Sequence, residues 1–300
     1  MQQSESFQNY MRARDAEKDI RERFSQTLEH VRLSIASFDN RYPLGDDITV
    51  TPVDAGGVHA EWVVPANART ERVILYIHGG CYISGSPVTV RECASRIGRA
   101  ADARVLNIDY RLAPEHPFPA ALDDTLAAYR WLLAQGYDAK HIILAGESAG
   151  GGLTIAALMK IRDDGDLPMP ALGVPISPWI DMTMDHKTLT TNVGRDIAST
   201  TPLFIGAKLY VGEGDPRGPY VSPLFGDLTG LPPLLIQVGG GEVLLDDGIA
   251  IAHKARREGV DVTFEVWPHQ THVWHWFATE LEDAAQAIGA IGDYIKARMD

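Results

Sequence analysis

His141-Ile142-Ile143-Leu144-Ala145, Gly146-Glu147-Ser148-Ala149-Gly150 and Gly151-Gly152-Leu153-Thr154-Ile155-Ala156-Ala157-Leu158-Met159 run consecutively in this chain. The first five residues read as a buried strand and the last nine as a helix packed close to a sheet. Between them a serine sits in G-x-S-x-G. A strand-to-helix turn that sharp leaves no room for side chains at the flanking positions and lifts the hydroxyl clear of the sheet. The helix that begins at the serine turns its positive end toward any anion formed there. The motif by itself is only moderately specific, because a glycine-rich turn whose serine caps a helix matches it too. The strand before it and the helix after it are the context that favours a nucleophilic Ser148.

The same alternation extends in both directions. Val73–Ile77 and Arg104–Ile108 are continuous apolar runs, as expected of strands buried on both faces. Leu172–Ile176, Leu234–Val238 and Val262–Val266 read as further strands. Helical segments fall at about 88–101, 120–135, 148–162, 242–257 and 278–297. Strands alternating with helices imply an α/β fold, a mostly parallel central sheet flanked by helices. Ile48–Val50 and Ala60–Val64, with the turn Ala55-Gly56-Gly57 between them, are expected to add an antiparallel edge. Phe24, Leu28, Val31 and Ile35 share one face of a helix over 18–37, and Phe7, Tyr10 and Met11 suggest a shorter amphipathic piece before it. Residues 180–215 break the alternation and look like inserted short helices. Segments 1–40 and 180–215 are therefore read as a helical cap, and 41–179 with 216–300 as the catalytic domain.

A serine nucleophile needs a base, an orienter for that base, and donors for the oxyanion. Tyr76-Ile77-His78-Gly79-Gly80-Cys81-Tyr82 follows a strand, and its glycines let backbone N–H groups approach a substrate. Gly79 and Gly80, with Ala149 after the serine, are the candidate oxyanion donors. The plain alternative is a strand-to-loop turn with His78 a hydrogen-bonded structural histidine. In the chain order serine, acid, histidine, the base follows the last strand. His269, His272 and His275 all lie there; His272 is preferred, and its neighbours compete by position alone. The acid belongs on the loop after Leu234–Val238, where Glu242 is the first carboxylate. Asp246 and Asp247 lie a turn further on, where solvated or capping roles are the ordinary expectation.

Together these segments resemble the bacterial hormone-sensitive-lipase-like family of α/β-hydrolase carboxylesterases. The resemblance runs from about residue 50 to the end. It rests on His78-Gly79-Gly80, on Asp109-Tyr110-Arg111-Leu112-Ala113-Pro114-Glu115-His116-Pro117-Phe118-Pro119-Ala120, on Gly146–Gly150, on Glu242–Asp247 and on His272-Val273-Trp274. It implies an α/β-hydrolase fold, Ser148 as nucleophile, His272 as general base, and Gly79, Gly80 and Ala149 as oxyanion donors. The family's acid opens an Asp-Pro-Leu-x-Asp motif. Here the matching residues are Glu242-Val243-Leu244-Leu245-Asp246, which places Glu242 at the acid position and leaves Asp246 as runner-up. Cys81 stands where a third glycine is common, either lining the pocket entrance or filling space as a small hydrophobe. Asp109 and Arg111 are expected to hold buried charge-assisted hydrogen bonds beneath the site.

The resemblance implies hydrolysis of short-to-medium acyl esters through an acyl-enzyme. Lactone, carbamate or amide hydrolysis by the same triad, or ligand binding without catalysis, are the alternatives. Phe204, Trp179, Trp274 and Trp276 are candidates for the pocket wall, with at least two of them expected in ordinary core. No metal or organic cofactor is implied. With 27 Lys and Arg against 40 Asp and Glu, the net charge of −13 argues against nucleic acid and anionic membranes as partners. A small-molecule ester is the expected partner, and homodimerisation through a sheet edge or the terminal helix is compatible with the pattern. The N-terminal stretch has no apolar core of a signal peptide, and no apolar run approaches 18 residues. Cys81 and Cys93 form no metal-ligand pattern, and two reduced thiols in a cytoplasmic protein are expected.

Overall fold

The computed structural model describes residues 28–299. Eight strands form one sheet: β1 Ile48–Asp54, β2 His59–Pro65, β3 Arg69–Ile77, β4 Ala103–Ile108, β5 Ile142–Glu147, β6 Leu172–Ile176, β7 Leu234–Gly239 and β8 Val262–Trp267. Their spatial order is β1-β2-β4-β3-β5-β6-β7-β8. β1 and β2 pair antiparallel, as do β2 and β4, and every remaining pairing is parallel. The expected antiparallel edge is thus present. β1 exposes much of its length, whereas every residue of β5 is buried.

Eight α-helices are described: α1 Leu28–Ala36, α2 Pro87–Ala100, α3 Ala120–Ala134, α4 Ala149–Asp164, α5 Thr188–Thr191, α6 Thr200–Val211, α7 Leu245–Arg257 and α8 Glu282–Met299. Side chains alternate across a strand, and β3 shows the consequence. Val73, Leu75 and Ile77 join a core with residues of α3, α4 and α7, while Ile74 and Tyr76 join a second core with α2 and α8. Both faces of β3 are therefore dry over Val73–Ile77, which explains the unbroken apolar run there.

The element ends differ from the sequence expectation in ways that matter to the site. His141 closes a short 3-10 turn, and β5 begins at Ile142. The helix expected from 242 starts at Leu245, so Glu242 lies on the preceding loop. The helix expected from 278 starts at Glu282, because Trp274–Phe277 form a separate 3-10 turn. Of the expected N-terminal helix, Leu28–Ala36 is described with Val31 buried; Phe7, Tyr10, Met11 and Phe24 lie outside the described residues. Residues 180–215 carry the short α5 and α6, and no helix among the described residues is long and apolar enough to cross a membrane.

Candidate active site

β5 ends at Glu147 and α4 begins at Ala149, leaving Ser148 alone on the turn with φ 57° and ψ −120°. That backbone is sterically disfavoured for a residue with a Cβ and costs about 1–3 kcal/mol. It is held by bonds on both sides: Ser148 N–H donates to Ile176 O at 2.9 Å, and Ser148 O accepts from Trp179 N at 3.0 Å and Gly152 N at 3.1 Å. The flanking glycines are required by space. A Cβ at Gly146 or Gly150 would lie 2.5 or 1.9 Å from the carbonyl oxygen of Ile77 on the neighbouring strand.

Ser148 and His272 line one cleft. His272 Nδ1 lies 2.7 Å from Glu242 Oε2. Glu242 is fully buried, and its other oxygen accepts the Gly239 N–H at 2.6 Å. The extra methylene of glutamate is thus absorbed by tying the carboxylate back to the end of β7. Burial opposes charge on the imidazole, but the Glu242 hydrogen bond and charge, with Asp196 and Glu147 adding to them, raise the His272 pKa overall. Glu242 itself is raised by burial, against the pull of His272. The competing histidines are placed elsewhere. His269 is exposed on a turn with φ 68°. His275 is buried with Nε2 2.8 Å from Gln237 Oε1, and burial, aided by the neighbouring His272, pushes its pKa down to about 3.

Asp246 does not reach the imidazole: its Oδ2 accepts the Thr188 N–H at 3.1 Å. Asp247 is neither solvated nor a cap of its own helix, as had been expected. It is buried, accepts the Ile180 N–H at 3.1 Å, and is raised to about 7 by burial. Both aspartates tie α7 to the segment that follows β6.

Gly79 lines the cleft, but its single N–H donates to Glu147 Oε1 at 2.6 Å. The expected role of Gly79 as an oxyanion donor is therefore not met by this geometry, because the buried Glu147 carboxylate accepts that N–H. The N–H groups of Gly80 and Ala149 have no acceptor among the described residues. Tyr110 supports the loop from below, stacking on His78 at 4.1 Å and donating to His78 O at 3.0 Å. Of the expected buried charge-assisted bonds, Arg111 makes one with the buried Asp124 at 2.7 Å while its own side chain is exposed, and Asp109 is exposed.

The cleft encloses about 700 Å³. Its walls come from α1, from residues 197–203, and from Trp276. Trp179 and Trp274 are fully buried core, and Phe204 is exposed outside the lining. Cys81 lines the cleft, half-buried, with its thiol pushed up to about 12 by burial, so it is a poor nucleophile at neutral pH.

Two side chains that sequence reasoning missed hold the loops carrying Glu242 and His272. Asp196 accepts from His272 N at 2.7 Å and Val243 N at 2.8 Å. Asn192 donates to Glu242 O at 2.9 Å. No motif marks them, because they act on backbone groups 47 to 76 residues away.

A family model described as the alpha/beta hydrolase fold matches residues 74–276. An acetyl-hydrolase of Streptomyces hygroscopicus is 48% identical over 85% of this chain and 83% of that protein. An esterase of Acinetobacter venetianus is 35% identical over 84% of each. The crystal structure of an esterase from the bacterial hormone-sensitive lipase family superposes with a TM-score of 0.92 at 45% identity, over the full length of both chains.

Proposed function

The chain belongs to the alpha/beta hydrolase family and is a carboxylic ester hydrolase of the bacterial hormone-sensitive-lipase type, and from that premise we propose how its site works. Ser148 Oγ attacks the ester carbonyl carbon while His272 Nε2 takes the hydroxyl proton. The carbonyl π bond opens, and the oxyanion is received by the N–H groups of Gly80 and Ala149. Collapse expels the alkoxide, which takes the proton from His272 and leaves as the alcohol. Water, activated by the same imidazole, then cleaves the acyl-enzyme to the acid. Glu242 holds the imidazole with its proton on Nδ1 and stabilises the imidazolium. Each oxyanion donor contributes about 2.7–4 kcal/mol to the transition state.

The contact between His272 Nδ1 and Glu242 at 2.7 Å, in a cleft shared with a strained Ser148, carries this reading. Short-to-medium acyl esters fit a mostly apolar cleft of about 700 Å³, and the acetyl-hydrolase relative points the same way. Residues 28–40 and 180–215 act as the described part of a cap, since both contribute walls to the cleft. The two free cysteines fit a reducing compartment, and we assign the protein to the cytoplasm. Initial rates on p-nitrophenyl esters of graded acyl length, for wild type beside Ser148→Ala, test the proposal. Turnover that declines with chain length and disappears in the variant is expected. Equal slow rates in both proteins would remove Ser148 from the mechanism.

A further inference from the structure

Asp196 lies on the segment between α5 and α6, well before either triad loop in the chain. Its side chain is buried, and each carboxylate oxygen has a separate backbone donor. Oδ1 accepts the N–H of His272 at 2.7 Å, and Oδ2 accepts the N–H of Val243, the residue after Glu242, at 2.8 Å. One carboxylate therefore closes a ring through the acid loop, the base loop and the Nδ1 contact between their side chains. Charge-assisted bonds of this kind are about twice as strong as neutral ones and more exacting in geometry.

The sequence around Glu242 fits this arrangement. The family pattern Asp-Pro-Leu-x-Asp has proline where this chain has Val243, and proline has no N–H to donate. Val243 keeps the N–H that Asp196 Oδ2 takes, next to the glutamate acid of this chain. The longer side chain needs a loop held at a defined distance from the imidazole, and the clasp supplies that distance.

We propose that Asp196 is a positioning residue for ester hydrolysis, clasping the Glu242 and His272 loops together and placing a second negative charge beside the imidazole. The inference rests on the triad reading given above. Its electrostatic part follows from what surrounds His272: Glu242 at Nδ1, Asp196 at the backbone N–H, Glu147 beneath the oxyanion loop, and His275 three residues on. The three carboxylates favour the imidazolium and burial opposes it; burial likewise raises the Asp196 carboxyl, against the pull of the His272 charge and of the backbone N–H groups that Asp196 accepts. Removing the Asp196 charge lowers the pH at which the base protonates and weakens the imidazolium formed in the transition state.

The test compares wild type, Asp196→Asn, Val243→Pro and Ser148→Ala on p-nitrophenyl butyrate from pH 5 to 9. Rates are normalised to active sites counted by the burst from a p-nitrophenyl phosphonate. Asparagine offers one acceptor oxygen in place of two and no charge, and Val243→Pro removes only one donor. Asp196→Asn should lower kcat per active site at least tenfold with KM changed less than threefold, and should move the acid-side midpoint of kcat/KM down by about half a unit or more. Val243→Pro should lower kcat with a smaller movement of the midpoint, since the charge remains. An Asp196→Asn enzyme with wild-type kcat per site and wild-type midpoint overturns the inference. So does one that loses only thermal stability and active-site count, a purely structural result. Should Asp196→Asn fail to fold, a Val243→Pro enzyme with wild-type kcat per site overturns it instead. Full activity in Ser148→Ala would sink the triad reading itself, a different outcome from an inert Asp196.

Discussion

Glu147 Oε1 accepts the Gly79 N–H at 2.6 Å, so the residue before the nucleophile suspends the loop that faces it. Glu147 is fully buried, and burial raises its pKa to about 7 despite the Gly79 bond that favours the anion. Removing the side chain leaves a buried amide without an acceptor, at a cost of about 1–3 kcal/mol. The loop then has no reason to keep Gly80 aimed at the cleft. Glu147→Ala is expected to reduce kcat by about tenfold to a hundredfold, on the scale of one such penalty. Glu147→Gln, which keeps an acceptor oxygen, should retain most of the rate. Steady-state kinetics on one ester decide it, and an alanine variant as fast as wild type would show that the loop needs no such anchor.

The base must be neutral to accept the serine proton. Burial works against the His272 imidazolium, yet Glu242, Asp196 and Glu147 outweigh it and the pKa is raised. A raised pKa moves the loss of activity to higher pH, so kcat/KM should fall as pH drops through a midpoint above the ordinary imidazole value of about 6.5. A profile that stays level down to pH 5 would contradict His272 as base.

Glu242 and Asp246 can be separated directly. Glu242→Gln offers the imidazole an amide in place of a carboxylate and loses both tautomer control and charge. Its kcat should fall by about 10³–10⁴, the scale seen when a triad acid becomes its amide. The Asp246 side chain accepts from Thr188 N–H and not from the imidazole, so Asp246→Asn should cost less than tenfold in kcat. The opposite ranking would make Asp246 the acid.

Asp247 links pH to stability. It is buried and its folded pKa, about 7, lies above the ordinary aspartate value. A carboxyl raised in the folded state favours folding when protonated, and that advantage is lost as pH climbs from about 4, the unfolded value, toward 7. Asp247→Asn keeps an oxygen for the Ile180 N–H and carries no charge. Its Tm relative to wild type should therefore be higher at pH 8 than at pH 5. A difference in Tm that does not change between the two pH values would mean that Asp247 does not titrate in this window.

Much of this architecture is legible in the sequence because the determining signals are local. The apolar runs of β3 and β5 report burial on both sheet faces, and the Gly146 and Gly150 pair reports a turn whose neighbours leave no room for a Cβ. Chain order and motif position narrow the base to His269, His272 and His275 and the acid to Glu242 and Asp246; that His272 meets Glu242 is a contact made by the fold. The aromatic residues were less legible. Trp274 and Trp276 are two residues apart in sequence, but of Trp179, Trp274 and Trp276 only Trp276 lines the cleft. Which face an aromatic side chain meets depends on distant elements.

Sequence alone determined the strand–serine–helix turn and the alternation of strands and helices around it, since each rests on residues close together in the chain, and it narrowed the base to three histidines after the last strand. Tertiary structure alone decided which amides are left for an oxyanion and what holds the two triad loops together. Gly79 loses its N–H to Glu147, 68 positions later, and Asp196 joins Val243 and His272 from 47 and 76 positions away. A hydrogen bond is satisfied by whichever partner the fold brings within about 3 Å, and no local pattern of residues encodes that partner.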